Sequence, residues 1–244
     1  MLVYDVKSFE YIRTEKYLGN NVIMDDEGNF ISDINSNESI DSTFSIRYFD
    51  KCLNIKKRML IDKFKTGYTI DPMYRFYKNN GSVFYYPRFE NKIYEVKSDT
   101  CVLVKQLLFG EKTMAPEHKI LEMIENRSLV NFWMNSDDYV HSFEFFECNN
   151  IMLACYNTAS QLYIGVSRDN SRGIFASVKS EYRHQYPFNV KGIWNGCFVS
   201  YIECAHLKEC EECLKSGIVM NTCDNVDDED MILVIWKVKN GMLE

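Results

Sequence analysis

A mainly β fold is what this chain predicts: a jelly-roll-like antiparallel β-sandwich with a few short helices and extended arms. Three observations carry that expectation. Aromatic residues make up 14% of the 244 residues, with 16 Tyr and 16 Phe, and these side chains suit a pleated, half-buried strand surface. Short apolar and aromatic runs alternate with turn signals along most of the sequence. Only two stretches carry a helical stripe. At this length an all-β chain is commonly one unit, so residues 1–244 read as a single domain.

Residues 2–6, 83–89, 101–109, 129–134, 139–146, 151–156, 161–166, 174–178, 197–202, 217–220 and 231–238 read as strands. Tyr139, Phe143 and Phe145 share one face at period two, with His141 between them, and Ile232, Val234, Trp236 and Val238 repeat the pattern. One helix starts at Pro116, where a first turn tolerates proline, and carries the stripe Ile120, Leu121 and Ile124 up to Asn126. A second spans roughly residues 205–215, with Leu207, Cys210 and Leu214 on one face and Gly217 just past its end. Residues 25–45 are polar and poor in core-forming side chains, which predicts an extended arm or loop. No internal repeat or low-complexity tract stands out.

Charge narrows the function. The net charge of −7 argues against a nucleic-acid partner, which needs a basic footprint. Lys56-Lys57-Arg58 is the longest basic run and reads as a solvated face in preference to a nuclear import signal. No apolar stretch approaches the ~20 residues that span a bilayer, and the N-terminus has no charged head before an apolar core. The expectation is a chain that is not secreted, works without a membrane, and starts with its nine cysteines as thiols.

The cysteines supply the one cluster of metal-ligand types. Cys204, His206, Cys210 and Cys213, with Cys223 beyond, contain a single Cys-x-x-Cys half-site. Zinc usually wants a second half-site, so apolar thiols on a helix face are favoured over a metal, and intermolecular disulfides of Cys204, Cys210, Cys213 and Cys223 remain open. Two glutamates inside the motif would raise the thiol pKa values by like-charge repulsion, which argues against a redox enzyme. The four His are scattered, and neither a Gly-x-Ser-x-Gly nor a His-Glu-x-x-His motif is present. The chain therefore reads as neither an enzyme nor a cofactor protein. The acidic run 224–230 lacks the spaced ligands of a calcium loop.

Tyr4 in Val-Tyr-Asp, Asp138-Tyr139-Val, Ser180-Glu181-Tyr182, Ile193-Trp194, and the C-terminal strand closing on Lys237-Val-Lys239 form a series of short segments. In order and spacing the series resembles the baculovirus polyhedrin and granulin family of occlusion-body proteins. The resemblance departs between Met134 and Asp138, where the chain is shorter than the family and lacks its cross-linking cysteine. A diverged, nudivirus-like member is the best match. The resemblance implies a structural matrix protein that packs as homotrimers into crystals around virions, in occlusion bodies of the nucleus or cytoplasm. It also implies dissolution in alkali. On reference pKa values the net charge would reach about −30 to −40 near pH 10.5. The alternative reading is an intracellular β-sandwich binding module with a zinc- or redox-sensitive cysteine cluster.

Overall fold

The computed structural model describes residues 2–4, 7–8, 10–14, 21–33, 44–64, 75–168, 174–179, 190–203 and 231–237. The chain divides into two compact units. Unit 1 is Met1–Leu108 with Pro116–Ser128, and unit 2 is Phe109–Ala115 with Leu129–Glu244.

Unit 1 begins with an antiparallel pair, β1 (Leu2–Tyr4) and β2 (Tyr11–Thr14). Two four-stranded sheets follow, each in simple chain order. The first is β3 (Val22–Met24), β4 (Phe30–Asp33), β5 (Phe44–Phe49) and β6 (Ile55–Ile61); the second is β7 (Phe76–Asn79), β8 (Ser82–Tyr85), β9 (Lys92–Val96) and β10 (Cys101–Gln106). Every pairing in them is antiparallel between chain neighbours, so each sheet is a meander. Their facing residues form one core, in which Ile31, Ile46, Tyr48 and Met59 of the first sheet meet Val83, Tyr85 and Val96 of the second.

Turn chemistry sets these registers. Asp25 caps the β3–β4 turn by accepting from the Asn29 backbone N–H at 2.8 Å, with Gly28 supplying φ 82°. Asp50 does the same for β5–β6, accepting from the backbone N–H groups of Cys52 and Asn54, both at 2.9 Å. The Asn54 N–H comes first among the causes that lower the Asp50 pKa to about 2. In β7–β8 the two-residue turn is Asn80-Gly81, both at positive φ, the geometry that matches strand twist. Helix α1 (Glu117–Glu125) begins after Pro116, as expected from sequence, and turns its Ile120 inward.

Unit 2 repeats the plan. A parallel pair, β11 (Thr113–Met114) with β12 (Tyr139–Val140), brackets helix α2 (Leu129–Asn135) in sequence. Then come a four-stranded meander, β13 (Ser142–Cys148), β14 (Ile151–Asn157), β15 (Gln161–Arg168) and β16 (Ile174–Lys179), and a three-stranded one, β17 (Val190–Trp194), β18 (Cys197–Glu203) and β19 (Met231–Trp236). Phe146, Cys148, Leu153, Cys155 and Ile164 of the former pack on Val190 and Phe198 of the latter.

The chain is thus mainly β with few helices, but a jelly roll finds no support among the described residues. A jelly roll pairs strands far apart in sequence, whereas the antiparallel partners here are chain neighbours. Residues 129–134 form helix α2 and not a strand, since so short an apolar run carries no decisive period. The segment 139–146 is two strands. It breaks at His141, whose backbone N–H bonds the Asn157 carbonyl at 2.9 Å while Tyr139 and Val140 pair with β11. The expected arm at 25–45 contains the β3–β4 turn, β4 and the start of β5; residues 34–43 lie outside the described residues. So does the expected helix at 205–215.

Alternating strand direction sorts the connections of each sheet. First-to-second and third-to-fourth turns fall at one end, where they are tight: residues 25–29, 50–54, 80–81, 97–100, 149–150 and 195–196. Among the described residues the β8–β9 connection (86–91) and the β14–β15 connection (158–160) fall at the other end, the first of them longer than any of these turns. Connecting segments on a rigid scaffold are where binding residues concentrate, so the long-connection end is the place to look for a site.

Candidate functional site

In unit 1 that end holds a cleft between the segment leaving β6 and the β8–β9 connection. Ser45, Arg75 and Tyr85 lie buried at its floor, and Asp62, Lys63, Arg88 and Glu90 stand around it. Local chemistry fixes the walls. Asp62 accepts from the Phe64 backbone N–H at 3.0 Å, and Phe64 meets the Phe89 ring edge-on with centroids 5.2 Å apart. The Tyr86 N–H donates to the Arg75 carbonyl at 3.1 Å, which extends the β7–β8 ladder to the cleft. Lys63 is held outward by Glu117 at 2.9 Å. Lys92 lies 3.1 Å from Glu90.

Charge lies under the cleft as well. Asp33 and Arg75 are each 2% exposed, and Arg47 is also buried. Burying charge is costly unless partners compensate, and Asn21 supplies two bonds to Asp33, from its backbone N–H at 3.2 Å and its amide at 2.8 Å. Burial pushes the Tyr85 hydroxyl up to about 12; the Arg75 and Arg88 charges oppose this and Asp33 reinforces it. A buried tyrosine set among an aspartate and two arginines is a pre-paid polar floor, able to meet a ligand carrying both donors and acceptors.

The same end of unit 2 is closed by its own side chains. Asp137 accepts from the Thr158 hydroxyl at 2.7 Å and from the Ser160 N–H and hydroxyl at 2.8 and 2.7 Å. Those Ser160 bonds hold its carboxyl below the usual range. Lys112 donates to the Asp137 backbone carbonyl at 2.6 Å. His141 sits against the Phe132 and Trp133 rings, and burial keeps its imidazole neutral more readily than in water, against a bond to the Ser136 backbone and the charge of Asp137. These groups serve one another and leave little to offer a ligand.

None of the residues singled out from sequence falls in the cleft. Tyr4 lies in β1, and Asp138 is exposed. Tyr139 is in β12, against Phe132 at 5.8 Å. Ile193 and Trp194 are in β17, with Trp194 58% exposed, and Lys237 follows β19. Ser180, Glu181, Tyr182, Lys239, Cys204, His206, Cys210, Cys213 and Cys223 lie outside the described residues. Among the described residues no three His, Cys, Asp or Glu side chains gather as a metal site. Sequence reasoning missed Arg75, Arg88 and Tyr85. The signal for the two arginines was position, since both stand just outside strand ends, in connections where binding residues concentrate.

Consecutive antiparallel meanders whose first strands approach each other, β3 with β7 and β13 with β17, are the blades of a β-propeller. The profile of a family described as "DUF5128: 6-bladed beta-propeller" matches residues 1–200, and the chain belongs to that family. A solved structure from Bacteroides fragilis NCTC 9343, described as a "Putative exported protein", is similar over 98% of this chain and 71% of its own, at 19% identity and a TM-score of 0.75. At that identity it speaks for the fold alone. No curated protein matches the chain. These findings overturn the polyhedrin resemblance and the occlusion-body function it implied. Its matches were segments of only three or four residues, and the aromatic and β-branched residues in them recur in strands generally. The homotrimer and the virion partner lose the only support they had.

Proposed function

We propose that this propeller is a binding protein that acts without catalysis, and that its ligand occupies the cleft of unit 1. The observation that carries the reading is the buried Arg75–Tyr85 floor beneath a rim of Asp62, Lys63, Arg88 and Glu90. Mixed charge at the rim favours a polar ligand, such as an acidic sugar or a short peptide, over nucleic acid, and an enclosed volume of about 10 Å³ admits one polar group of it while the rest lies on the rim. The net charge of −7 points the same way, and no membrane is required. The relative from Bacteroides is described as exported, and an extracytoplasmic location is proposed here in place of the nucleus or cytoplasm.

Isothermal titration of the whole chain with a panel of uronic acids, acidic oligosaccharides and dipeptides tests this. A bound probe should lose roughly tenfold or more in affinity to Arg88→Ala, since charge-assisted hydrogen bonds contribute about 1.5–3 kcal/mol. A probe that binds Arg88→Ala and Lys63→Ala unchanged places the ligand elsewhere. Turnover of a bound probe ends the non-catalytic reading.

A further inference from the structure

Two tight turns of unit 2 touch, and a cysteine flanks each. Cys148 ends β13 just before the Asn149-Asn150 turn, and Cys197 opens β18 just after the Asn195-Gly196 turn. The Asn149 amide donates to the Gly196 carbonyl at 3.3 Å, and a Cβ on Gly196 would stand 2.6 Å from the same amide nitrogen. The turns are therefore in direct contact. Cys148 is buried in the core that its sheet shares with Val190, Ile193 and Phe198 of the next. Cys197 is half-buried beside Phe198 and directs its thiol to the Asn195 carbonyl at 3.7 Å. Both thiols are free. Burial pushes the Cys148 thiol up, the Cys197 thiol adds to that push, and Lys237 opposes it.

We propose that Cys148 and Cys197 are a disulfide-forming pair, a covalent clip between the first hairpin turns of two consecutive sheets. Neither the family description nor the similar structure speaks of such a site, and the inference does not depend on the ligand cleft. Cys155, the other described cysteine of this core, is no rival. It pairs with Glu144, four residues back along β13 from Cys148, which is about 13 Å of strand rise, well beyond what a disulfide spans.

The chemistry balances with a disulfide oxidant such as oxidised glutathione. The more accessible Cys197, as thiolate, attacks one glutathione sulfur and expels one glutathione thiol. Cys148 then loses its proton and attacks the Cys197 sulfur of the mixed disulfide, expelling the second. Two electrons pass from the protein pair to the oxidant, and the two thiol protons end on the two glutathiones. Burial of the attacking Cys148 thiol makes the second step slow at neutral pH and faster in mild alkali. The closed loop confines some fifty residues of the unfolded chain, so oxidation should stabilise the protein.

The test incubates the reduced, full-length chain with oxidised glutathione, blocks remaining thiols in acid, and digests with trypsin and chymotrypsin. Chymotrypsin cuts after Phe146 and Leu153, and after Trp194 and Phe198, which separates both cysteines from all the others. Mass spectrometry of the monomer should find Cys148 linked to Cys197. Tm should rise by about 5 °C or more and fall back on reduction. Cys197→Ser, a change at a half-buried turn position, should abolish the linked peptide and the rise; Cys148→Ala should do the same where it folds. Linkage of either residue to another cysteine overturns the proposal. So do two blocked free thiols after prolonged oxidation, or a Tm rise that survives in Cys197→Ser.

Discussion

At the tight-turn end of unit 1, the β3–β4 turn reaches the next sheet through charge. Lys78 of β7 pairs with Asp26 and also donates to the Met24 carbonyl at 3.4 Å. In unit 2 the equivalent contact is neutral, an amide from Asn149 to the carbonyl of Gly196. What the two share is steric. In both, the second turn residue of the following sheet is a glycine at positive φ, Gly81 at 81° and Gly196 at 72°, and a Cβ on either would stand 2.6 Å from the neighbour's polar atom. The backbone geometry of the hairpin sets the contact, and its chemistry is interchangeable. At the opposite end the units diverge in kind. Unit 1 leaves a cleft over buried charge, while unit 2 spends Asp137, Thr158, Ser160 and Lys112 on one another.

The largest way to break this comparison is in the cores. Ile46 and Leu153 are fully buried, one in each unit. Truncation to alanine removes buried methyl groups and leaves a cavity, which costs about 2–5 kcal/mol at either site. Denaturant titration should show both losses. Hydrogen exchange should localise them, Ile46→Ala to β4, β5 and β8, and Leu153→Ala to β13, β14 and β18. Equal loss of protection in both units from either variant would mean that the division into two units has no energetic counterpart.

The same pairing explains what could be read from the sequence. Strands beside strong turn signals, such as both around Asn149-Asn150 and the one after Asn195-Gly196, were legible, because alternating apolar residues and φ-tolerant turn residues agree, whereas β17 before Asn195 was missed. So was α1, with Pro116 before it. Strands β3 to β5 were hidden, because Asp25, Asn29 and Ser32 make the segment look like a loop, whereas Asp25 is busy capping and Ser32 is buried in the sheet. The repeat was hidden for a related reason. Asp25-Asp-Glu-Gly-Asn29, Asn80-Gly81, Asn149-Asn150 and Asn195-Gly196 share turn function and not letters, so no fixed motif recurs. The cleft was invisible, since Arg75 and Tyr85 of one sheet meet Ser45 and Asp62 of the other only in the folded unit.

A sharper comparison comes from alkali. The Tyr48 hydroxyl donates to Asp25 Oδ2 at 2.6 Å, and the Asn29 amide bonds both groups at 2.9 and 3.0 Å. Burial first, and the Asp25 carboxylate second, push the Tyr48 pKa up to about 12. Burial also raises Asp25, but its bonds from Tyr48 and Asn29 outweigh that and hold it low. Since the folded Tyr48 keeps its proton while an unfolded tyrosine loses it near pH 10, its contribution is complete below pH 10. It is lost as pH rises from 10 towards 12. Tyr85 and Tyr156 are raised by burial too, so the readout is a difference between proteins. Tyr48→Phe should cost about 1 kcal/mol at pH 7 and lose less stability than the wild type between pH 10 and 12. Parallel curves would show that Tyr48 does not couple proton release to folding.

The smallest effect discriminates most finely between the two clasps. Lys78→Met removes the cation from a pair whose side chains are 36% and 65% exposed, so it should cost no more than about 1 kcal/mol. Asn149→Gly keeps the positive φ that the turn needs and removes the amide, for a loss of similar size. Salt separates them. Screening at 1 M weakens an exposed ion pair, so the gap between wild type and Lys78→Met should shrink there, while the gap for Asn149→Gly should hold. A Lys78 gap that ignores salt would assign the contact to the methylene stem of the lysine and its bond to the Met24 carbonyl. The two units would then use the same neutral contact, and the charge in unit 1 would be incidental to how its hairpins meet.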